Sequence, residues 1–393
     1  MHISRTRRLA VAMAACLVAL AGSFLLPPAA RADTLPSAER AALVDLYKAT
    51  RGTQWVKQNG WNTSADACTW YGVTCQGGHV TDLTLLDVGI FGPIPASIGN
   101  LTSLTSLSLG GRTLWLGTGG ENFPGYDKIT KVPTSIGNLA KLTQLYLGDS
   151  EITSIPASIG KLKNLTYFDA QGNRLTKIPS SISKLRKLDD LVLQENKLTS
   201  LPASIGKLSK LVSLDLDDNK LTKLPATLKN LTGIGELILD ENKFTEVPVL
   251  IKKMTNLNDL SLGYNRFTQV PDWLGNFRYL SQLGLGGNKL TTVPDSLGNF
   301  NNLSFLDLSQ NRLTEIPSSI GKLTSVTEMH MEDNQLSGDV SNWLAPLAAA
   351  NNLAHFDISG NGCLTANPSL VRWLNKNDKK NGNSPYNPWN GGC

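Results

Sequence analysis

Leu188 to Lys210 reads LDDLVLQENKLTSLPASIGKLSK, and Leu303 to Ser325 reads LSFLDLSQNRLTEIPSSIGKLTS. Both obey one pattern, L-x-x-L-x-L-x-x-N-x-L-T-x-[IVL]-P-x-[ST]-[IL]-x-x-[LF]-x-x, and this 23-residue pattern runs almost unbroken from Leu142 to Ser325. Self-similarity at such a period marks a solenoid, because one unit cannot bury its own apolar face and each coil needs its neighbours.

The L-x-x-L-x-L portion alternates apolar and polar residues as a short strand does, so its leucines turn inward and the residues between them face solvent. A tight turn follows at the asparagine, repeated as Asn173, Asn196, Asn219, Asn242, Asn265, Asn288, Asn311, Asn334 and Asn361. A carboxamide carries both donors and an acceptor, so a buried Asn can satisfy backbone groups of its own coil and of the next. The recurrent proline (Pro156, Pro179, Pro202, Pro225, Pro248, Pro271, Pro294, Pro317) lacks an N–H. It excludes a central strand or helix interior there, so the return side is expected to be extended with short 3₁₀ turns. Strands starting at Val80, Leu104, Leu142, Leu165, Leu188, Leu211, Ile234, Leu257, Leu280, Leu303, Val326 and Leu353 predict about twelve coils in one parallel sheet.

The pattern resembles the leucine-rich repeat family. The expected fold class is therefore α/β, a leucine-rich repeat solenoid (horseshoe) with its parallel strands on the concave face. The run Cys68-Thr69-Trp70-Tyr71-Gly72-Val73-Thr74-Cys75 resembles the C-x-W-x-G-V-x-C cap of plant extracellular members, including receptor-kinase ectodomains and polygalacturonase inhibitors. Gly92-Pro93-Ile94-Pro95 is similar to their G-x-I-P step, whereas the later coils replace the plant glycine pattern by L-T-x-[IVL]-P. The resemblance implies an architecture and a recognition role, not a particular ligand.

Basic residues between His2 and Arg8, an apolar run from Leu9 to Leu26 and Ala30-Arg31-Ala32 have the three-part layout of a secretory signal peptide. The expected division is residues 1–32 signal peptide, 33–79 N-terminal cap, 80–361 repeat array and 362–393 C-terminal cap, in a secreted or periplasmic protein. Of the remaining cysteines, Cys68 with Cys75 and Cys363 with Cys393 is the economical pairing, a disulfide at each cap in an oxidising compartment. Ser37 is expected to N-cap a helix burying Ala42, Leu43, Leu46 and Tyr47, and Ser369 to Lys376 to form a second helix over the last coil.

The formal charge of +5 falls to about +1 once Arg5, Arg7, Arg8 and Arg31 leave with the leader, which argues against a nucleic-acid or membrane-surface binder. The distribution is more telling than the sum. Register puts Asp190, Glu195, Asp215, Asp217, Asp218, Glu236, Asp240, Glu241 and Asp259 at strand and turn positions expected to face solvent, whereas Lys184, Lys207, Lys210, Lys223, Lys229, Lys252 and Lys253 crowd the return segments. Such a field steers a basic partner and repels an acidic one. Tyr146, Tyr167, Tyr264 and Phe305 are expected at equivalent exposed positions as contact anchors.

Coil two exceeds the 23-residue period by 15 residues, the excess lying roughly from Gly110 to Tyr126 and carrying Trp115, Phe123 and Tyr126 as further ligand-binding candidates on a projecting loop. Asp307, His330 and Asp357 share one strand position in successive coils, with Glu328 beside His355, a row compatible with a salt-bridge ladder, a pH-sensitive patch or a zinc site. There is no G-x-S-x-G, H-E-x-x-H or phosphate loop, and the expectation is no enzyme, no cofactor and no resident metal. The expected function is recognition of an extracellular protein or peptide of basic character on the concave face. The alternatives are inhibition of a secreted cell-wall hydrolase and binding of cell-wall polysaccharide. Nucleic acid and stable membrane insertion after signal cleavage are not expected. Asn62, Asn100, Asn164, Asn230 and Asn302 open N-x-[ST] sequons.

Overall fold

A computed structural model describes residues 35–110 and 128–378. The expected signal peptide, most of the coil-two insert with Trp115, Phe123 and Tyr126, and Cys393 lie outside the described residues. Among the described residues no helix is long and apolar enough to cross a membrane.

Each coil enters as a short strand whose central apolar residue is fully buried, except in the last, where Phe356 is half-buried. The strands are β2 (His79–Leu85), β4 (Ser106–Leu109), β6 (Gln144–Tyr146), β7 (Tyr167–Asp169), β8 (Asp190–Val192), β9 (Ser213–Asp215), β10 (Glu236–Ile238), β11 (Asp259–Ser261), β12 (Gln282–Gly284), β13 (Phe305–Asp307), β14 (Glu328–His330) and β16 (His355–Asp357). These twelve are the expected parallel strands, stacked in chain order. A thirteenth, β1 (Val73–Gln76), pairs antiparallel with β2 and closes the first edge, while β3 (Phe91–Pro93) with β5 (Lys128–Lys131) and β15 (Gly338–Asp339) with β17 (Leu364–Thr365) form two separate two-stranded sheets. A covered edge removes a row of unpaired backbone groups that would otherwise template aggregation.

After each strand the chain turns through a left-handed residue at the eighth position of the repeat: Asp149, Glu195, Asp218, Glu241, Tyr264, Gln310 and Asp333 all have φ between 43° and 56°. This region is unfavourable for a residue with a Cβ, and among the described residues Gly172, Gly287 and Gly360 avoid the cost at this position. The buried asparagine one residue later holds the turn. In coil seven, Asn242 Nδ2 donates to the carbonyls of Leu216, Leu239 and Asp240, and its Oδ1 accepts from the Leu221 N–H at 2.9 Å. The same four bonds recur at Asn196, Asn219, Asn265, Asn288, Asn311 and Asn334. The ladder therefore reaches back to the preceding coil, not forward to the next as the repeat alone suggested.

The return side carries the expected 3₁₀ turns, each entered by the recurrent proline, as Pro202 enters Ala203–Lys207. Their close stacking explains the glycine of S-I-G-K, since a Cβ at Gly206 would run into the Thr227 carbonyl. Coil eleven departs from the pattern with a true helix, α2 (Ser341–Ala350), that lies against the 3₁₀ turn Ser318–Lys322. It has lost the L-P step and carries an alanine run, which favours helix.

The N-terminal cap is α1 (Ser37–Ala49) with an aromatic cluster in which Tyr47 and Trp55, Trp55 and Trp61, and Trp61 and Trp70 stand 5.3, 5.0 and 5.1 Å apart. Ala42, Leu43, Leu46 and Tyr47 are buried as expected, but Ser37 is already helical and Pro36 is the cap residue. Glu39 is the unforeseen member: buried, it accepts from the Val80 N–H at 2.8 Å and meets His79 Nδ1 at 2.6 Å, tying α1 to the first strand. Cys68 and Cys75 are bridged. Cys363 is also disulfide-bonded, and its expected partner, Cys393, lies outside the described residues. At the other end α3 (Pro368–Asp378) covers the last coil, with Phe356 between Trp343 and Trp373 at 6.5 and 6.3 Å.

Candidate binding face

Register turns the sheet into two inward rows. The third positions of the coils align as Gln144, Tyr167, Asp190, Ser213, Glu236, Asp259, Gln282, Phe305, Glu328 and His355. The fifth positions align as Tyr146, Asp169, Val192, Asp215, Ile238, Ser261, Gly284, Asp307, His330 and Asp357. Neither row contains a lysine or arginine. The lysines named for the return segments are exposed.

The acids, however, do not form one solvent-facing set. Asp215, Asp217 and Asp240, expected to face solvent, are only 8%, 5% and 7% exposed. Their carboxylates are spent on turn backbone: Asp215 Oδ1 accepts from Asp217 N at 3.1 Å, Asp217 Oδ1 from Asp218 N at 2.8 Å, and Asp240 Oδ1 from Gly263 N at 2.6 Å. Asp169, Asp307 and Asp357 repeat the first of these bonds onto the residue two further on. A fifth-position aspartate is thus an Asx-type turn cap in this array. Burial has a consequence for charge. The Asp169 carboxyl is pushed up to about 7, mainly by loss of water, with the Gln171 N–H opposing and Asp149 adding repulsion. The Asp307 carboxyl is also raised, by burial above all.

The third-position acids remain half-exposed: Asp190, Glu236 and Asp259. The Asp190 carboxyl is raised by partial burial and then by the like charges of Asp189 and Glu236. At the turns Glu195 is exposed and Asp218 and Glu241 are half-buried. The aromatics are not equivalent. Tyr167 and Phe305 hold third positions, Tyr146 a fifth, and Tyr264 the left-handed eighth, where its ring lies across Gly287. The real pairing is diagonal: the rings of Tyr146 and Tyr167 are 4.8 Å apart and tilted by 32°. Beside them the side chains of Gln171 and Gln194 are hydrogen-bonded, a neighbourhood not anticipated from sequence although register alone places it.

Toward the last coils Asp307, His330 and Asp357 are in register, as are Glu328 and His355. His330 is buried rather than exposed, because its ring lies 5.7 Å from Phe305 and 4.9 Å from His355. Burial pulls its pKa down, but ion pairing with Glu332 and Glu328 and the charge of Asp307 outweigh it and raise it to about 9. The described residues contain no group of three or more His, Cys, Asp or Glu arranged to hold a metal ion, so the zinc alternative finds no support here.

Leucine-rich repeat models match residues 172–221, 183–244 and 278–336, and the leucine-rich repeat N-terminal domain model matches residues 36–76. With the solenoid already described, these matches show leucine-rich repeats and a leucine-rich repeat N-terminal domain in this chain, and the proteins it is similar to are plant receptor-like leucine-rich repeat proteins. Among characterised proteins it is similar to Receptor-like protein 36 of Arabidopsis thaliana, 40% identical over 73 residues, which are 19% of this chain and 10% of that protein. Receptor protein kinase WSS1 of rice is 39% identical over 94 residues, 23% of this chain and 10% of that protein. Among solved structures, the plant peptide hormone receptor RGFR1 in complex with RGF2 superposes with a TM-score of 0.63 and 30% identity over 78% of this chain and 51% of that one. The Arabidopsis receptor kinase HAESA in complex with the peptide hormone IDA and SERK1 gives 0.67 and 26% over 84% and 54%. The chain therefore spans about a tenth of these receptor sequences and about half of the ectodomains.

Proposed function

We propose that this is a secreted or periplasmic, non-enzymatic recognition protein whose concave sheet face binds a protein or peptide of basic character. The observation that carries the reading is the third-position row: Asp190, Glu236 and Asp259 stand half-exposed on a rigid parallel sheet whose inward rows hold no lysine or arginine. An acidic patch such as this stretch of the concave face raises the local concentration of an oppositely charged partner and speeds its association. The RGFR1 and HAESA structures, similar over about half of their length, hold peptide hormones, which supports a peptide or protein as the partner class.

The test is to pan a random peptide library against the full chain and to re-measure the enriched peptides on two variants. Glu236→Lys with Asp259→Lys is expected to abolish their binding, and Lys229→Glu with Lys252→Glu, on the return side, to leave it unchanged. Peptides that bind all three proteins equally would refute a concave site, and enrichment of acidic peptides would refute the charge assignment.

A further inference from the structure

The proposed acidic face is not uniform along its length, and its least uniform point sits where β6, β7 and β8 meet. Tyr146 on β6 and Tyr167 on β7 lean together across the sheet with ring centroids 4.8 Å apart. Directly beside Tyr167 on the next strand is Asp190, its in-register partner. All three side chains are half-buried at strand positions of the two concave-face rows. Partial burial above all, and then the like charges of Asp189 and Glu236, raise the Asp190 carboxyl. No cation of the inward rows stands near to relieve it.

Aromatic faces and a crowded carboxylate together select for one kind of group. A lone carboxylate attracts any cation, and a lone ring pair attracts any apolar or planar group. Guanidinium satisfies both at once, because it is planar, weakly hydrated, stacks on aromatic faces and donates in parallel to a carboxylate. An ammonium is also drawn to a ring face, but as a compact, strongly hydrated point charge it gains less there and cannot donate in parallel to the carboxylate while lying flat on the ring. Resting on the concave-face reading above, we infer that the Tyr146–Tyr167 pair with the Asp190 carboxylate forms a subsite for an arginine side chain of an extended peptide partner. The acids further along, Glu236 and Asp259, supply the general attraction for basic residues, and the aromatic pair sets the preference for arginine over lysine at one place on the array.

The experiment uses fluorescein-labelled hexa-arginine and hexa-lysine, titrated against the full chain by fluorescence anisotropy. A cation–π contact adds enough that hexa-arginine is expected to bind about fivefold to tenfold more tightly than hexa-lysine. Tyr146→Leu with Tyr167→Leu, which keeps apolar bulk and is checked for an unchanged melting temperature, is expected to bring that ratio close to one by weakening hexa-arginine much more than hexa-lysine. The Tyr146→Phe, Tyr167→Phe protein retains its rings and is expected to keep the preference. Asp190→Asn is expected to weaken hexa-arginine more than hexa-lysine. An arginine preference that survives the leucine pair overturns the subsite while leaving the basic-partner reading standing. Absence of binding by both peptides overturns both. Loss of binding to a neutral hexasaccharide in the leucine pair, with neither peptide affected, would assign the rings to sugar and overturn the inference.

Discussion

Replacing Asn242 by alanine should expose how the asparagine ladder distributes its load. The side chain makes four bonds, yet its loss does not orphan four groups. The Leu216 carbonyl still accepts from Asn219 Nδ2 at 3.1 Å, the Leu239 carbonyl from Asn265 Nδ2 at 2.9 Å, and the Asp240 carbonyl from Asp218 N at 3.1 Å. Only the Leu221 N–H, held by Asn242 Oδ1 at 2.9 Å, loses its acceptor. An unsatisfied buried donor costs about 1–3 kcal/mol, and the three shared bonds add roughly 1 kcal/mol more because their acceptors keep another donor. Asn242→Ala should therefore destabilise by about 2–4 kcal/mol in urea unfolding. Coil three already contains the partial replacement: Ser150 stands at the asparagine position, and its Oγ accepts from Ile129 N at 3.2 Å. Asn242→Ser should then recover about half of the loss and slow the accelerated exchange of the Leu221 amide. Equal destabilisation by alanine and serine, with equal amide exchange, would refute the view that the single acceptor dominates.

Two further outcomes concern charge inside the fold. Glu39→Ala orphans the buried Val80 N–H and should cost about 1–3 kcal/mol, whereas Glu39→Gln keeps an acceptor and should cost less; thermal melts of both variants, with exchange at the Val80 amide, check this. Asp169 binds its proton more tightly folded, at about 7, than at its ordinary 3.8, so its contribution is fully present below pH 3.8 and is lost as pH rises through about 7. Asp169→Asn should match wild type near pH 4 and exceed it at pH 8 by at most about 4 kcal/mol. His330, raised from 6.5 to about 9, has the same sign in a higher window: its stabilisation is complete below pH 6.5 and disappears as pH rises through about 9. His330→Gln should flatten stability between those limits, and a wild-type curve that is already flat there would contradict the ion-pair assignment.

The parts of the fold that the repeat enforces were readable because they depend on period alone: strand register, the buried asparagine, the proline-led 3₁₀ turns. The roles of the inward acids were not, because period places a side chain on a face without saying which way it bends. Asp190 and Asp215 look interchangeable in the sequence, yet one occupies a third position and stays half-exposed, and the other folds back onto the Asp217 N–H. The difference lies in the turn two residues downstream, which offers a backbone donor only to the fifth position. Likewise Tyr146 and Tyr167 resemble independent surface residues until register sets them diagonally across adjacent strands. Glu39 was hidden for another reason: its partners, His79 and Val80, are 40 and 41 residues away in sequence and belong to a different element.

The asparagine ladder also has a direction. Every Oδ1 serves an N–H of the coil before it, from Asn173 to Ile152 through to Asn361 to Leu336. During synthesis, then, a coil that has left the ribosome is incomplete until the next one follows, and its amide at the position after the turn is satisfied by residues not yet made. The nascent array advances with one open bond at its leading edge. Only at Asn361, with α3 laid over the final coil, does that debt stop being handed on. A polypeptide truncated between rungs would therefore fray from its C-terminal side first, while the disulfide-bridged, aromatic-packed start of the array stays closed.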